Sequence, residues 1–261
     1  MKIVVCVKQV PNTNDVKINP VTNTLIREGI PSIINPDDKA GLEAALALKD
    51  KHGGATVTAV TMGPPQADLA LREALAMGVD KAVLVTDRAF GGSDTLATSS
   101  ILAAVLRKIG FDLIIAGRQA IDGDTAQVGP QIAEHLRIPH ISYAEEVKIE
   151  DEYVIVKSAH EDRTYVMKAK MPCLVTALTG MNVPRYPSVM SIFDAYREKE
   201  VKILTKGNLD VDEKVIGLKG SPTKVVKSFT KEGKGKGQVI ELDTEESVKW
   251  LVEKLQEKFV L

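Results

Sequence analysis

The chain has 261 residues, enough for one large domain with a sizeable core, and its 34 basic residues nearly balance its 35 acidic ones. This balance excludes bulk electrostatic attraction to nucleic acid, and an aromatic content of 4% disfavours a stacking surface for single strands. The first apolar run, Ile3 to Val7, is too short for a signal-peptide core or a membrane span, so we expect no membrane association.

Two cysteines, Cys6 and Cys173, lie inside apolar runs that are typical of strands. We therefore expect buried, reduced thiols rather than a disulfide, which fits a cytoplasmic setting. The four histidines are scattered singly and show no metal-ligand spacing, so no metal site is predicted.

The first half of the chain alternates strand and helix patterns. Strands are predicted at 3–7, 56–62, 82–86 and 113–116, and helices at 36–52, 67–77, 95–109 and 129–136. A small hairpin is predicted within 12–33, from VKINP and TLIRE, and Asn35 or Asp37 is expected to cap the first helix. The alternation predicts an α/β fold, a doubly wound, mostly parallel sheet of Rossmann-like, adenine-nucleotide-binding type.

After Pro139 the pattern changes to short strands with partial alternation, at 141–149, 153–158 and 164–168. These predict antiparallel additions to the sheet, and the apolar run at 172–177 is expected to return to the core. The prolines of 182–188 indicate a loop, and 189–197 can form a short helix.

Residues 199 to 238 are rich in lysine and glycine and poor in large apolar side chains. We interpret them as an extended C-terminal arm that wraps a partner, with a loose tail as the alternative. Thr244 to Leu261 restores helical periodicity, so the arm is expected to end in an amphipathic helix that needs a surface. The predicted domains are therefore 1–198 and 199–261.

Polar loops follow the first, third and fourth predicted strands, and in a parallel sheet such loops share one edge. The richest is 117–125, where two glycines permit close backbone approach and the following helix start can receive phosphate oxygens. Asp124 or Thr125 is expected to cap that helix. Because neither GxGxxG nor GxxxxGK[ST] is present, an ordinary connection stays an alternative to a nucleotide site.

Catalytic motifs are missing from the sequence, which contains no GxSxG, HExxH or CxxC and no paired carboxylates at catalytic spacing. A hydrolase or transferase therefore has little support, whereas a redox protein that holds a cofactor needs no such residues. A nucleotide-binding stress domain or an ATP-hydrolysing domain of similar topology is a rival hypothesis. The missing phosphate-binding lysine loop and the C-terminal arm count against it.

Six segments in one order give the chain a family resemblance. They are CVKQVP (6–11), NPDD (35–38), TMGPP (61–65), ALAMGVDKA (74–82), AGRQAIDGDTAQVGPQIAEHL (116–136) and MPCLVTALTGMNVPRYPS (171–188). Over most of its length the chain resembles the β subunit of electron-transfer flavoproteins. The resemblance implies a heterodimer with an α subunit that carries an FAD, and an adenine nucleotide in the β subunit, which is AMP in ordinary members.

Two further segments, DRAFGGSDTLATS (87–99) and GSPTKVVKSF (220–229), resemble the electron-bifurcating branch of that family. In that branch the β-subunit nucleotide is a second FAD. NAD(H) is the electron donor, and electrons divide between a high-potential acceptor and a low-potential one such as ferredoxin. The resemblance therefore implies FAD in this chain and NADH-oxidising activity, with an ordinary carrier that binds AMP as the alternative.

The resemblance also implies which residues hold the nucleotide, and no catalytic side chain is among them. Those implied at the adenosine end are Cys6, Asn35, Asp38 and Met62. Those implied around the phosphates and ribose are Gly117, Gln119, Ala120, Asp122, Gly123, Asp124, Thr125 and Gln127. Those implied on the flavin side are Phe90, Gly91, Gly92, Asp94, Thr95 and Thr98.

Partner contacts are implied in the same way. The family's docking loop maps to Arg185–Ile192, with Val189 and Met190 as apolar anchors for a flavin-dependent dehydrogenase of acyl-CoA or 2-hydroxy-acid type. The C-terminal arm resembles the segment that embraces the α subunit. One departure is KSAHEDRTYVMKAK (157–170), which lacks the basic-acidic-Gly-Gly signature of many members and leaves the form of that turn open.

Overall fold

The computed structural model describes residues 1–12, 31–223, 226, 237 and 239–260. The strands are β1 (Lys2–Cys6), β2 (Gln9–Pro11), β3 (Ser32–Ile34), β4 (Thr56–Met62), β5 (Lys81–Val85), β6 (Leu113–Gly117), β7 (His140–Glu150), β8 (Tyr153–Ala159), β9 (Thr164–Lys170), β10 (Cys173–Ala177) and β11 (Val201–Leu204). The helices are α1 (Pro36–His52), α2 (Asp68–Met77), α3 (Thr95–Ile109), α4 (Val128–Leu136), α5 (Val189–Arg197), α6 (Gly217–Gly220) and α7 (Thr244–Glu257). The hairpin predicted from VKINP and TLIRE lies outside the described residues.

A nine-stranded sheet forms the centre of the described chain, in the order β11-β5-β4-β1-β6-β10-β7-β8-β9. From β11 to β7 neighbouring strands are parallel, and β8 and β9 continue the sheet as antiparallel strands. A separate antiparallel ribbon joins β2 to β3. The predicted α/β fold with a mostly parallel sheet and antiparallel additions is confirmed.

The central strands are apolar on both faces because helices cover both sides of the sheet. In β1, Ile3 and Val5 pack in the cluster on the side of α1, α2 and α5, while Val4 and Cys6 pack on the side of α3 and α4. A strand buried on two faces reads as a continuous apolar run, which is why β1 and β6 were recognisable in the sequence.

The strand order reverses at the centre of the sheet. From β1 the chain moves by way of α1 and α2 to β4 and β5 on one side, and α3 then returns it to β6 on the other side of β1. In open α/β sheets the crevice at the carboxyl ends of such a pair is where ligands bind. The fold therefore directs attention to the ends of β1 and β6.

The segment after residue 198 differs from the expected arm. Val201 and Leu204 are buried on opposite faces of the sheet, and β11 pairs in parallel with β5 from Val201 opposite Ala82. The described residues up to Val226 belong to one compact unit, beyond the boundary predicted at 198. Val201 and Leu204 are enough to anchor β11 at the edge of the sheet, although the segment from 199 to 238 is polar as a whole.

The second unit contains residues of Lys227–Leu261, and its ordered element is α7. Asp243 caps this helix by accepting a hydrogen bond from the Glu246 amide at 2.9 Å. Its apolar side chains Val248, Leu251 and Val252 are exposed, as the predicted amphipathic pattern requires of an unpartnered helix. Across the described ranges, no helix combines the length and apolarity needed to cross a bilayer.

The turn between β8 and β9 closes without glycine. The His160 amide donates to the Arg163 carbonyl at 2.9 Å, and no residue from 160 to 163 has a positive φ. Since no left-handed conformation is needed there, the missing Gly-Gly of the family signature leaves the hairpin intact.

Candidate functional site

Asp38 joins the ends of the two central strands. Its carboxylate accepts hydrogen bonds from the Lys8 amide at 2.7 Å, just after β1, and from the Gly117 amide at 2.9 Å, at the end of β6. Burial raises the pKa of Asp38 to about 7, against the hydrogen bonds from Lys8, Asn35 and Gly117 that lower it. This carboxylate therefore joins the ends of β1 and β6 at the base of the crevice, where the strand order of the sheet reverses.

Gly117 is dictated by this contact. A Cβ at position 117 would lie 2.1 Å from Asp38 Oδ1, which is closer than any non-bonded approach. Only glycine lets the carboxylate reach the backbone, so close packing requires this first glycine of the loop.

Asn35 and Asp37, expected to cap α1, instead hold the loop that follows β6. The Asn35 amide group donates to the Gln119 carbonyl at 2.8 Å and accepts from the Ile121 amide at 3.1 Å. Asp37 accepts from the Thr179 amide at 2.9 Å and from the Thr179 hydroxyl. The capping prediction is wrong for α1, because both side chains turn away from the helix amides toward neighbouring loops.

The loop from Gly117 to Thr125 is exposed beyond residue 120, and side-chain pairs shape it. Lys8 Nζ lies 2.6 Å from Asp122 Oδ1, and Gln119 donates to Asp124 Oδ1 at 2.9 Å. Asp124 and Ala126 have positive φ values of 49° and 51°, a conformation that costs energy for residues with a side chain. Such backbone turns point successive amides to one side and form anion-binding concavities.

The start of α4 has unused donors. Within the described chain, no protein hydrogen bond engages the backbone amides of Thr125, Ala126, Gln127, Val128 or Gly129. The predicted cap by Asp124 or Thr125 is therefore not formed. Instead α4 begins after Gln127, whose side chain accepts from the Thr95 hydroxyl at 2.9 Å, at the first residue of α3. Two helix N-termini thus meet, and both favour negative charge.

The loop after β5 leads into α3. Asp94 caps α3 through Oδ1, which accepts from the Ala97 amide at 3.0 Å, and its Oδ2 accepts from the Thr223 amide and hydroxyl at 3.1 and 2.8 Å. Both carboxylate oxygens of Asp94 therefore have protein donors. Phe90, implied to reach the ligand, is buried in the core on the α3 side.

The remaining implied residues lie around the same edge. Cys6 and Met62 end β1 and β4, and Thr98 is in the first turn of α3. Burial, followed by the charge of Asp38, raises the pKa of the Cys6 thiol to about 12, so this residue is an inert packing group. Ala120 and Gly123 belong to the turn in which the Asp124 amide donates to the Ala120 carbonyl at 2.9 Å.

Sequence reasoning missed several residues that shape the site. Asp37 and Thr179 fasten one side of it, and Ser221 and Thr223 lie against the loop after β5. Lys8, just after β1, pairs with Asp122. One sequence feature pointed to such contacts, namely the two consecutive acids of NPDD before an apolar helix. Two carboxylates at a buried helix start need hydrogen-bond partners from other parts of the chain.

The arrangement can bind an anion but offers no acid–base pair for catalysis. The donors are backbone amides at two helix starts, and the nearby carboxylates accept from backbone amides, from the Gln119 side chain or from Lys8. Among the described residues no group of three His, Cys, Asp or Glu side chains could hold a metal. Backbone donors of this kind suit phosphate groups.

An apolar surface lies elsewhere on this unit, at the start of α5. Val189 and Met190 are 75% and 71% exposed, and Ile192, Phe193 and Tyr196 extend the surface along the helix. Arg185 is fastened to α1, with Nε 2.9 Å from Glu43 and an Nη 2.9 Å from Asp50. An exposed apolar patch on a well-anchored loop is typical of a protein interaction site.

Comparisons with known proteins agree with this geometry. The chain matches the family model described as electron transfer flavoprotein domain over residues 22–206. A relative named electron transfer flavoprotein subunit beta, from Clostridium acetobutylicum, is 58% identical over 258 residues, with 99% of each chain covered. The caffeyl-CoA reductase-Etf complex subunit CarD of Acetobacterium woodii is 52% identical over 263 residues and covers both chains completely. Protein FixA of Azotobacter vinelandii is 47% identical over 244 residues, 90% of this chain and 86% of FixA.

Proposed function

Since the chain belongs to the electron transfer flavoprotein family, as a β subunit, we propose that it binds FAD at the crevice between β1 and β6 and takes electrons from NADH for electron bifurcation. One observation supports nucleotide binding above all. The backbone amides from Thr125 to Gly129 have no protein acceptor in the described chain, and they face the start of α3. A pyrophosphate supplies the oxygens that such donors need.

The residues around the crevice divide into three roles under this proposal. Asp38 and Asn35 hold the backbone of β1, β6 and the loop after it, which forms the adenosine end. The 125–129 amides bind phosphate oxygens, and the exposed Asp122 and Asp124 are acceptors within reach of ribose hydroxyls. The loop of 90–95 forms the side on which the rest of a dinucleotide extends.

No side chain of the crevice can move electrons by itself. Bound FAD would supply hydride acceptance and one-electron transfer, and the protein would supply position and local electrostatics. The buried Cys6, with its raised pKa, keeps a reactive thiolate away from the cofactor. The protein's contribution is therefore binding and orientation rather than proton transfer.

Partner proteins follow from the relatives and from the exposed surfaces. CarD is named as a subunit of a caffeyl-CoA reductase complex, and a relative in Anaerotignum propionicum is named acryloyl-CoA reductase electron transfer subunit gamma. We infer that this chain pairs with an α subunit that carries a second FAD, through residues 199–261 and the exposed face of α7. A flavin-dependent dehydrogenase docks on the start of α5, and a low-potential carrier such as ferredoxin receives the other electron.

An ordinary carrier with AMP in the crevice is the second candidate, and one observation favours it. Both carboxylate oxygens of Asp94 are engaged by Ala97 and Thr223, so this side chain offers nothing to a flavin. The adenosine end and the phosphate amides would be fully used by a mononucleotide. AMP would then be a structural ligand, and the chain a binding and assembly module.

Nucleotide content separates the two candidates. The chain is co-expressed with its α partner, the heterodimer is denatured, and released FAD and AMP are quantified by chromatography. We expect two FAD and no AMP for each heterodimer, with NADH oxidation as the next assay. One FAD and one AMP would support the ordinary carrier, and the absence of any nucleotide beyond the α-subunit FAD would contradict the site.

A further inference from the structure

Residues 204–223, which we call the strap, run beside the loop that follows β5. The Thr86 amide donates to the Leu204 carbonyl at 2.9 Å, and the Lys206 amide donates to Asp87 Oδ2 at 3.0 Å. Farther along, the Leu218 amide donates to the Gly91 carbonyl at 3.0 Å. The strap is thus fastened to the loop near both of its ends rather than at one point.

Ser221 lies at the junction where the loop enters α3, and it is only 4% exposed. Its hydroxyl accepts from the Asp94 amide at 2.8 Å and donates to the Gly217 carbonyl at 2.7 Å. Two residues later, Thr223 donates twice to Asp94. Ser221 therefore satisfies a partly buried backbone amide of the loop that nothing else in the described chain engages.

Gly217 brings the two backbones into direct contact. Its φ is +62°, and a Cβ there would lie 2.1 Å from the Ala89 carbonyl oxygen. Its amide also donates to the Ser93 hydroxyl at 3.1 Å. Any side chain at 217 would push the strap away from the loop, so the contact depends on glycine.

The position of the loop indicates what the strap controls. Under the proposed function, a mononucleotide would occupy the adenosine end and the amides of α4, which α1 and the loop after β6 position. A dinucleotide would extend further, toward the start of α3, where Thr95 meets Gln127. Only the longer ligand would contact the loop of 90–95, and the strap sets that loop's conformation.

We propose that Ser221 is a positioning residue of the nucleotide site, and that the part of the strap from Gly217 to Thr223 determines whether the site accepts a dinucleotide such as FAD or only AMP. This inference rests on the proposed function. Without the Ser221 hydroxyl the Asp94 amide loses its partner, and the loop is free to leave the conformation that receives the second half of the ligand. The adenosine end keeps all its contacts.

The test compares affinities for the two nucleotides in the same heterodimer. The β-site nucleotide is removed, and FAD and AMP are titrated separately into wild type, Ser221→Ala and Gly217→Ala. Thr205→Ala and Gly207→Ala are matched controls in the same strap, since Thr205 Oγ1 contacts Asn208 and position 207 is open, with no atom nearer than 3.9 Å. Ser221→Thr restores a hydroxyl.

We expect Ser221→Ala and Gly217→Ala to weaken FAD binding about tenfold or more while AMP binding stays within about twofold of wild type. The controls should bind both nucleotides normally, and Ser221→Thr should recover most of the FAD affinity. Equal losses for FAD and AMP, or no loss in either variant, would overturn the role of the strap. A wild type that binds neither nucleotide would instead contradict the proposed function.

Discussion

At the scale of single residues, the crevice depends on a buried carboxylate that holds the backbone of two strands together. Asp38 binds the amides of Lys8 and Gly117, and Gly117 has no side chain because that carboxylate occupies the space. The family resemblance implied both as ligand residues, whereas the structure gives each a role in joining β1 to β6. The resemblance and the geometry therefore both place Asp38 and Gly117 at the crevice, and the geometry adds a structural role for each.

The raised pKa of Asp38 predicts how stability changes with pH. Because burial raises this pKa from its ordinary value near 3.8 to about 7, the folded state binds a proton more readily than the unfolded state. The contribution of Asp38 is therefore most favourable below about pH 4 and is lost as the pH rises through 7. The loss amounts to about 4 kcal/mol, from the two pKa values at 1.36 kcal/mol for each unit.

We expect Asp38→Asn to remove this pH-dependent part, since asparagine does not titrate. The measurement is the free energy of unfolding in urea at several pH values between 4 and 8, for wild type and variant. The difference between the two should change in favour of the variant as the pH rises. A constant difference across the range would show that Asp38 titrates normally.

At the scale of elements, the helices differ in whether a side chain caps their first turn. Asp94, Asp243 and Ser188 cap α3, α7 and α5, as their residue types suggest. α1 and α4 have no side-chain cap, although candidate residues stand beside both. In α1 the candidates hold neighbouring loops, and in α4 the amides stay free, so these two uncapped helix starts lie at the crevice. The helices α2 and α6 also lack a side-chain cap.

The start of α5 carries a separate prediction. Replacing Val189 and Met190 together by serine removes exposed apolar area from the proposed dehydrogenase dock without touching the core. We expect electron transfer to the dehydrogenase to fall at least tenfold, because interface anchors carry most of the binding free energy. The assay is dehydrogenase reduction by the NADH-driven heterodimer.

Ile203→Ser is the matched control, since Ile203 is also an exposed aliphatic residue but lies in β11. The control should transfer electrons normally, and all three proteins should contain the same amount of FAD. An unchanged rate in the double variant would place the dock elsewhere.

At the scale of the whole molecule, the described chain divides into a compact unit that ends at Val226 and a second unit that contains α7. The first unit includes the sheet, the crevice and the strap. The second unit exposes apolar side chains on α7, among them Val248 and Leu251. Such a surface is typical of a protein interaction site, and we have proposed the α subunit as its partner.

A chain that ends at Val226 tests this division. We expect it to fold, with a cooperative unfolding transition, because the sheet and both of its core faces are retained. We also expect it to lose most of its association with the α subunit. The measurement is the yield of α subunit in a pull-down with tagged β chain, full-length against truncated, and equal yields would contradict the assigned role of α7.

The sequence by itself determined the order and type of the elements, because two-faced strands read as continuous apolar runs and the helices as periodic ones. It also identified the loop of 117–125 and the family. Only the tertiary structure decided that Val201–Leu204 completes the sheet, that Asp38 joins two strands, and that Ser221 fastens the loop of 90–95. These contacts join residues far apart in the chain, and local patterns record which residues are apolar or polar but not which distant partner satisfies them.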